Sequence, residues 1–300
     1  MDAFAHQLGA TLHLQKIPAY LPTILVSTFA FTLIQITLGP LTWRLLGKER
    51  TWSERIARDP SPALRKKKRK EQHDWSTHVT SLAHSLVILP LSFSLLDLPS
   101  LAADKAFGWD DKAGMVYGIA CGYFLWDSLE SVLYFQDVGF VVHGLSCLAI
   151  YGMAFKPFLA YYGARFLLWE LSTPFLNTHY FLDKLSLTGS PLQLLNGLCL
   201  LVSFFGARIV YGGMMSYEFF GTLRDAAPVL PTAYLLVYGI GNIVLNVLNW
   251  VWFFKMMSAL RRRFKSPSSV DGVTNGAEVP KLQNGNGAVT YGQGDKRKVE

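Results

Sequence analysis

The sequence predicts an all-α polytopic membrane protein, a helical bundle of about seven transmembrane helices, and three observations support this prediction. Hydrophobic residues make up 51% of the chain and charged residues only 16%, whereas a soluble globular chain carries roughly 25% charged residues. Of the 49 Lys, Arg, Asp and Glu residues, 27 lie in 47–75 and 261–300. Long apolar runs fill most of the remaining sequence. This composition excludes a soluble globular protein, a disordered chain and a disulfide-stapled secreted module.

A bilayer core about 30 Å thick requires roughly 20 apolar residues for each spanning helix. We expect a first helix after the N-terminus (1–46), a basic loop (47–75), a core of six helices (76–262) and a disordered tail (263–300). The seven apolar segments are 20–46, 76–97, 113–135, 138–155, 158–182, 191–216 and 229–259.

The basic residues predict the orientation of the chain in the membrane. The loop 47–75 holds ten Lys and Arg residues, including the run 65–70, and the last span ends in Arg261, Arg262 and Arg263. Basic flanks stay in the cytosol, and six spans between them return the chain to the same side. We therefore expect a cytosolic loop, a cytosolic C-terminus and a lumenal N-terminus. The run 65–70 leaves two explanations open, topology alone or binding of anionic lipid headgroups.

The net charge of +7 is concentrated in these flanks, so the expected partners are membrane lipids and no nucleic acid. A homodimer is left open. Residues 265–300 are polar and lack an apolar period, which is typical of a disordered tail. Lys296 and Lys298 near the C-terminus resemble a dibasic retrieval signal of the endoplasmic reticulum, the membrane in which we expect the protein. Tyr20, Trp43 and Trp109 near span ends are expected to be interfacial anchors.

The three cysteines lie inside apolar runs and are interpreted as small buried hydrophobic residues, not as a disulfide framework or a zinc cluster. The histidines lack the repeated close pairs of a di-metal site, so no metal is expected. The cysteines are Cys121, Cys147 and Cys199.

Ionisable residues inside a membrane cost roughly 2.5–3.5 kcal/mol each on insertion scales, so each needs a partner or a cavity. In this sequence polar residues recur at helical spacing on five of the spans. Such stripes predict a bundle that encloses a polar-lined cavity. The stripes contain Thr77, Ser81 and His84; Tyr123, Asp127 and Glu130; His143; Glu170, Thr173 and Asn177; and Tyr238, Asn242, Asn246 and Asn249.

Two groups of candidate site residues follow from these stripes. The candidate catalytic residues are His143, His84 and Asp127, because a histidine oriented by a buried carboxylate can act as general base or nucleophile. An alternative is that the asparagines only join helices by hydrogen bonds, and that Arg208 reaches to the membrane interface. The candidate lipid-cavity residues are Tyr123, Glu130, Glu170, Asn177, Arg208, Asn246 and Asn249.

Several motifs, in this order, resemble those of the TLC (TRAM–LAG1–CLN8) domain family. The resemblance covers roughly residues 70–262 and is closer to the small TLC-domain-containing proteins than to the ceramide synthases. The matching stretches are 75–84 (WSTHVTSLAH), 122–127 (GYFLWD), 141–143 (VVH), 170–177 (ELSTPFLN), 196–198 (NGL) and 208–210 (RIV).

The resemblance implies a lipid-handling bundle in the endoplasmic reticulum, with the six-helix TLC domain at 76–262. Ceramide synthases of the family join an acyl-CoA to a sphingoid base through a paired His-His. Here His143 is followed by Gly144, so only one histidine of the pair is present, and the longer acidic motif is missing.

Three functions are carried forward from the sequence. The first is a lipid-homeostasis protein without a cofactor, which binds a lipid or acyl chain and influences membrane lipid composition. The second is a ceramide-synthase-like acyltransferase that uses acyl-CoA as substrate, with His84 as the second histidine. A lipid transporter is the third, and it has less support because no inverted repeat is visible.

Overall fold

The structure is a computed structural model that describes residues 2–264, 281–282 and 289–290. Helices account for nearly all of the described chain. They are α1 (Asp2–Leu12), α2 (Ile17–Leu45), α3 (Lys48–Arg58), α4 (Pro62–Phe93), α5 (Pro99–Ala102), α6 (Asp111–Leu133), α7 (Val138–Met153), α8 (Ala160–Leu167), α9 (Thr173–Lys184), α10 (Pro191–Phe204), α11 (Gly212–Ala226) and α12 (Thr232–Phe264). Two 3₁₀-helices (Leu168–Ser172 and Ala227–Val229) and a π-helix (Phe205–Tyr211) join some of them.

Helices occupy all seven segments that the sequence marked as spans, and the predicted all-α membrane bundle is confirmed. Within the described residues, three helices are long and apolar enough to cross a membrane by length and composition: Ile17–Leu45, Pro191–Val229 and Thr232–Arg262. The helix Val138–Met153 is apolar but shorter. The protein is therefore an integral membrane protein.

The predicted loop 47–75 is helical in the structure, as α3 and the first part of α4. The Ser61 hydroxyl accepts a hydrogen bond from the Leu64 backbone N–H at 3.3 Å, and Pro62 begins α4. Both are strong signals for a helix start, and Lys and Arg favour helices. Helix α4 therefore begins ahead of the run 65–70 and continues through it into the apolar segment.

The predicted disordered tail (263–300) lies almost wholly outside the described residues. Within it the structure describes the end of α12 and two short antiparallel strands, β1 (Lys281–Leu282) and β2 (Val289–Thr290). Lys296 and Lys298 lie outside the described residues.

One end of the bundle holds the end of α2, the helix α3 and the start of α4. We call it the basic end. An aromatic cluster of Trp43, Trp52, Trp75 and Tyr180 forms its core. Trp43 was expected to be an interfacial anchor, but it is fully buried and donates a hydrogen bond to Glu49. The reason is that α3 folds back over the end of α2 and covers the indole ring.

Ion pairs close the basic end around this cluster. Lys68 Nζ lies 2.5 Å from Glu49, and Lys48 Nζ lies 2.9 Å from Glu71. The indole N–H of Trp52 also donates to Glu71, at 3.3 Å. These contacts hold α3 against α4, and they stabilise the first turns of α4, which contain the run 65–70.

Glycines allow α2 and α6 to approach closely. Gly114, Gly118 and Gly122 follow one another at four-residue spacing and face α2. A Cβ atom added at Gly122 would lie 2.6 Å from the Ile24 carbonyl oxygen and 2.9 Å from the Thr28 backbone nitrogen. Small residues at this spacing are a common device for packing membrane helices.

We predict that Gly122→Ala lowers the stability of the protein by roughly 1–3 kcal/mol, because the added methyl group meets backbone atoms that cannot yield without moving a helix. The measurement is the midpoint of thermal unfolding of the purified protein in detergent, monitored by tryptophan fluorescence. The control is Gly221→Ala on α11, where an added Cβ has nothing within 4 Å. An equal midpoint for both variants would contradict the prediction.

A second prediction concerns pH. The hydrogen bond from Lys68, with a further one from Trp43, holds the pKa of Glu49 below its ordinary range. A carboxylate with a lowered pKa in the folded state contributes stability above its ordinary pKa and loses it as the pH falls through the lowered value. The midpoint of the wild type should therefore exceed that of Glu49→Gln at neutral pH and converge with it at acid pH. The control is Glu54→Gln, at a more exposed glutamate. The difference between its midpoint and that of the wild type should not change in this way with pH.

Candidate functional site

A narrow cavity of about 50 Å³ lies inside the bundle, between α6, α7, α8, the central 3₁₀-helix, the π-helix, α11 and α12. Its polar lining is grouped in one part, and aromatic and aliphatic side chains line the remainder. The polar lining residues are His143, Cys147, Glu170, Arg208 and Asn242.

Two irregular helical segments deliver the charged residues of the cavity. Glu170 lies in the 3₁₀-helix Leu168–Ser172, and Arg208 lies in the π-helix Phe205–Tyr211. Pro174 follows the first segment; its missing N–H and its ring disfavour an α-helical bond to the Glu170 carbonyl. π-Helical turns inside α-helices are frequent at functional sites.

The Arg208 guanidinium is buried and bound on several sides. Its Nε donates to the Trp169 carbonyl oxygen at 2.9 Å and to the Ser172 hydroxyl at 3.1 Å. Its Nη1 donates to Asn249 at 3.3 Å. Its Nη2 lies 3.9 Å from a carboxylate oxygen of Glu170. Arg208 is therefore an internal group of the bundle, and it does not reach to the interface.

His143 and Cys147 face the cavity from one turn of α7. The Cys147 Sγ lies 3.8 Å from His143 Nε2 and 4.0 Å from Nδ1. The His143 ring also packs edge-on against Trp252 on α12, with the ring centroids 5.3 Å apart. The sequence predicted that His143 belongs to the cavity site. From the sequence, Cys147 was interpreted only as a small buried hydrophobic residue.

Aromatic rings form much of the apolar lining. Tyr151 donates its hydroxyl to the Gly163 carbonyl, and Tyr238 donates to the Phe158 carbonyl. These hydroxyls already have partners, so the rings present their apolar surfaces to the cavity. The aromatic lining residues are Phe124, Tyr151, Tyr162, Phe166, Phe219 and Tyr238.

Asp127 does not line this cavity but lies at the contact of α6 with α7. A Cβ atom added at Gly144 would lie 2.9 Å from Asp127 Oδ2 and 3.1 Å from the Ser128 hydroxyl. Position 144 therefore faces α6, and His143 faces the cavity. A histidine at position 144 would have to displace Asp127 or separate the two helices.

His84 is not brought to His143. It is fully buried, stacked on Tyr123 at a centroid distance of 3.6 Å and packed edge-on against Phe31 and Phe124. Neither ring nitrogen has a hydrogen-bond partner among the described residues. The three candidate catalytic residues, His143, His84 and Asp127, therefore do not meet in the cavity.

The other candidate cavity residues lie in neighbouring networks. The Glu130 carboxylate lies against the His73 ring nitrogen Nε2 at the basic end. Tyr123 stacks on His84. Asn177 lies 2.7 Å from a ring nitrogen of His78 and donates to Ser81 at 3.1 Å.

The asparagines of α12 divide between the cavity and the helix contacts. Asn242 lines the cavity and Asn249 binds Arg208. Asn246 joins α12 to α11 through a 3.0 Å hydrogen bond to Ser216, and it also donates to the side-chain oxygen of Asn242. The described residues contain no group of three His, Cys, Asp or Glu side chains arranged to hold a metal ion.

Comparisons with known proteins give consistent results. A family model described as the TLC domain matches residues 74–258. An uncharacterised TLC domain-containing protein of Schizosaccharomyces pombe is 37% identical over 265 residues, which cover 88% of this chain and 86% of the relative. Topoisomerase I damage affected protein 4 of Saccharomyces cerevisiae is 30% identical, covering 65% and 73%. TLC domain-containing protein 4 of Homo sapiens is 33% identical, covering 65% and 77%. No solved structure matches the chain significantly.

The buried Arg208 leads to a third prediction. Arg208→Ala removes the cation beside Glu170. The Trp169 carbonyl and the Asn249 side chain also lose the hydrogen bonds that Arg208 donates to them. Breaking one side of a buried pair costs about 3–5 kcal/mol, and we expect a corresponding loss of thermal stability in detergent. Arg224→Ala, whose exposed side chain pairs with adjacent Asp225, is the control and should change stability little. Equal losses in both variants would contradict the prediction.

Proposed function

The chain belongs to the TLC domain family, and we propose that it binds a lipid inside its bundle and thereby influences membrane lipid composition. One observation carries this proposal: a ring-lined cavity inside the bundle has a polar part that contains His143, Glu170 and Arg208. An apolar channel with a few convergent polar groups is the general form of a site for an amphipathic ligand.

The size of the cavity favours one hydrocarbon chain. Its volume of about 50 Å³ is well below the roughly 300–1,000 Å³ of pockets that hold whole drug-sized molecules. Part of a single acyl chain is therefore the ligand that requires the least rearrangement of the walls. The remainder of the lipid would stay in the bilayer or at its surface.

The charges favour a neutral polar group at the chain end. Arg208 already lies beside Glu170 and holds its other hydrogen bonds with neutral partners. A free carboxylate or phosphate in this part of the cavity would have no unused cation, and an unpaired buried charge is costly. An ester, amide or thioester carbonyl, or a hydroxyl, is compatible with these donors and acceptors.

We also place the protein in the endoplasmic reticulum, with the basic end in the cytosol. The supporting observations are the ten Lys and Arg residues at 47–75 and the positive-inside rule. The ceramide-synthase-like alternative that uses His143, His84 and Asp127 has less support, because His84 is enclosed by aromatic rings away from the cavity.

The proposal predicts that filling the cavity reduces the lipid held by the protein. Ala154 lines the cavity and is buried, so Ala154→Phe should lower the amount of copurifying lipid several-fold. The measurement is mass spectrometry of lipids extracted from the purified protein after exchange into a lipid-free detergent. The expected ligand class is a single-chain or acyl-bearing lipid with a neutral polar group.

The matched control is Ala30→Phe on α2, where the alanine is exposed on the bundle surface. This variant should retain wild-type lipid. A second cavity variant, Asn242→Leu, changes the polar lining with little change in volume and should alter which lipids are retained. If the wild type retains no defined lipid, or if Ala30→Phe loses as much as Ala154→Phe, the proposed function fails.

A further inference from the structure

We propose that Cys147 and His143 form a thiol–imidazole pair that accepts a long-chain acyl group from an acyl thioester and holds it as an S-acyl cysteine. This inference rests on the proposed function, because the acyl chain must enter the cavity. It goes beyond reversible binding, since it assigns a covalent step to a residue that the sequence pattern presents only as a buried apolar side chain.

The geometry of the pair supports this step. Cys147 and His143 lie one helical turn apart on α7, and Cys147 Sγ is 3.8 Å from His143 Nε2. Both side chains line the cavity. A nucleophile with a base within hydrogen-bond reach is the general arrangement for covalent catalysis.

The other two cysteines lack this arrangement. Cys121, on α6, is buried in the apolar core and does not line the cavity. Cys199 is partly exposed on α10 and is also absent from the cavity lining. Of the three thiols, Cys147 alone faces both a cavity and an imidazole, so the proposal does not rest on an isolated cysteine.

The surroundings require the proton to leave as the sulfur attacks. Asp127, Glu170 and Arg208 are the charged groups near Cys147. A separated thiolate in an enclosed site with two carboxylates nearby would be costly. The Cys147 proton therefore passes to His143 while the sulfur approaches the acyl carbon, which is general-base assistance.

The step balances without any redox partner. The Cys147 sulfur bonds to the carbonyl carbon of the acyl thioester, and the bond from that carbon to the carrier sulfur breaks. The imidazolium of His143 returns the proton to the carrier thiolate. One thioester replaces another, so the exchange is close to isoenergetic, whereas a free carboxylic acid or an oxygen ester would not transfer readily to a thiol.

Asn242 in the cavity lining offers a donor for the transient oxyanion. The side-chain oxygen of Asn242 accepts a hydrogen bond from Asn246. The side-chain nitrogen of Asn242 is therefore the atom that would donate to the oxyanion. Donors directed at developing negative charge are a major source of rate enhancement in acyl transfer.

The direction of the cavity fits a soluble carrier. Helix α7 begins at the basic end, where Gln136 donates a hydrogen bond to Asp74, and Cys147 lies roughly 13 Å along the helix from Val138. The ring-lined part continues toward Ala154 and Tyr238, away from that end. An acyl chain would follow the rings, and its carrier would point toward the basic end.

The basic end offers charges that suit a polyanionic carrier such as coenzyme A. Five cations of the α4 extension are exposed and form no ion pair among the described residues, while Lys68 is held by Glu49. Phosphate groups are strongly attracted to such clusters. The exposed cations are Arg65, Lys66, Lys67, Arg69 and Lys70.

The experiment uses the full-length purified protein in lipid nanodiscs and palmitoyl-CoA that carries a terminal alkyne. The label is detected after coupling to a fluorophore, and neutral hydroxylamine identifies a thioester because it leaves oxygen esters and amides intact. Peptide mass spectrometry assigns the modified residue. We expect hydroxylamine-sensitive label on the peptide that contains Cys147, and no label in Cys147→Ala.

The matched controls are Cys121→Ala and Cys199→Ala, which should retain the label. His143→Gln should slow labelling about 100-fold, the low end for loss of a general base, while Cys147 stays present. Label that persists in Cys147→Ala, or that forms equally fast in heat-denatured wild type, would overturn the proposal. So would absence of label in wild type.

Noncovalently bound lipid separates this proposal from the proposed function. If Cys147→Ala retains wild-type lipid and loses the label, both proposals are supported. If the wild type retains lipid and never acquires label, only the covalent step is wrong. If the wild type retains no lipid and acquires no label, the cavity does not bind acyl chains and both proposals fail.

Discussion

The structure of the bundle interior depends on burying the guanidinium of Arg208. A buried cation is tolerated only where hydrogen bonds and a counter-charge surround it, and two parts of the chain, the 3₁₀-helix Leu168–Ser172 and α12, supply them. Trp169 and Ser172 provide oxygens from a 3₁₀-helix, Asn249 provides one from α12, and Glu170 provides the negative charge. Because these contacts draw together segments that are distant in sequence, they also define the polar part of the cavity.

Departures from regular α-helix make this arrangement accessible. The π-helix Phe205–Tyr211 changes the direction in which Arg208 leaves its helix, and the 3₁₀-helix Leu168–Ser172 does the same for Glu170. Elsewhere the bundle is packed tightly by glycines, as where Gly122 meets the backbone of α2. Gly144 belongs to this packing group, since it faces Asp127 and Ser128 on α6. This close packing leaves no room for a histidine at position 144, so α7 places one histidine, His143, toward the cavity, with Cys147 one turn away.

Much of the fold follows from composition and periodicity. Apolar runs of membrane-spanning length identify the helices of all seven predicted spans, because a chain in a bilayer must satisfy its backbone hydrogen bonds within each segment. The site was predicted less completely. His143, Glu170 and Arg208 line one cavity. His84, Tyr123, Asn177 and Glu130 share the same stripes and yet lie in other contacts. Helical spacing shows that residues share a face, but it does not show which neighbouring helix that face meets.

The sequence by itself determined that this protein is a membrane-embedded helical bundle with a basic end and polar groups inside it, since the cost of charge and of open backbone in lipid acts on each segment separately. Only the tertiary structure decided which of these groups share a space. The packing of the α4 extension against α3 rests on the contacts of Lys68 with Glu49 and of Trp52 with Glu71. The isolation of His84 depends on rings from α2 and α6. Helical spacing alone brings Cys147 beside His143 on α7, but the cavity that both residues face depends on how the helices opposite α7 pack. Such contacts between distant segments leave no period in the sequence, because they arise only when the helices have packed.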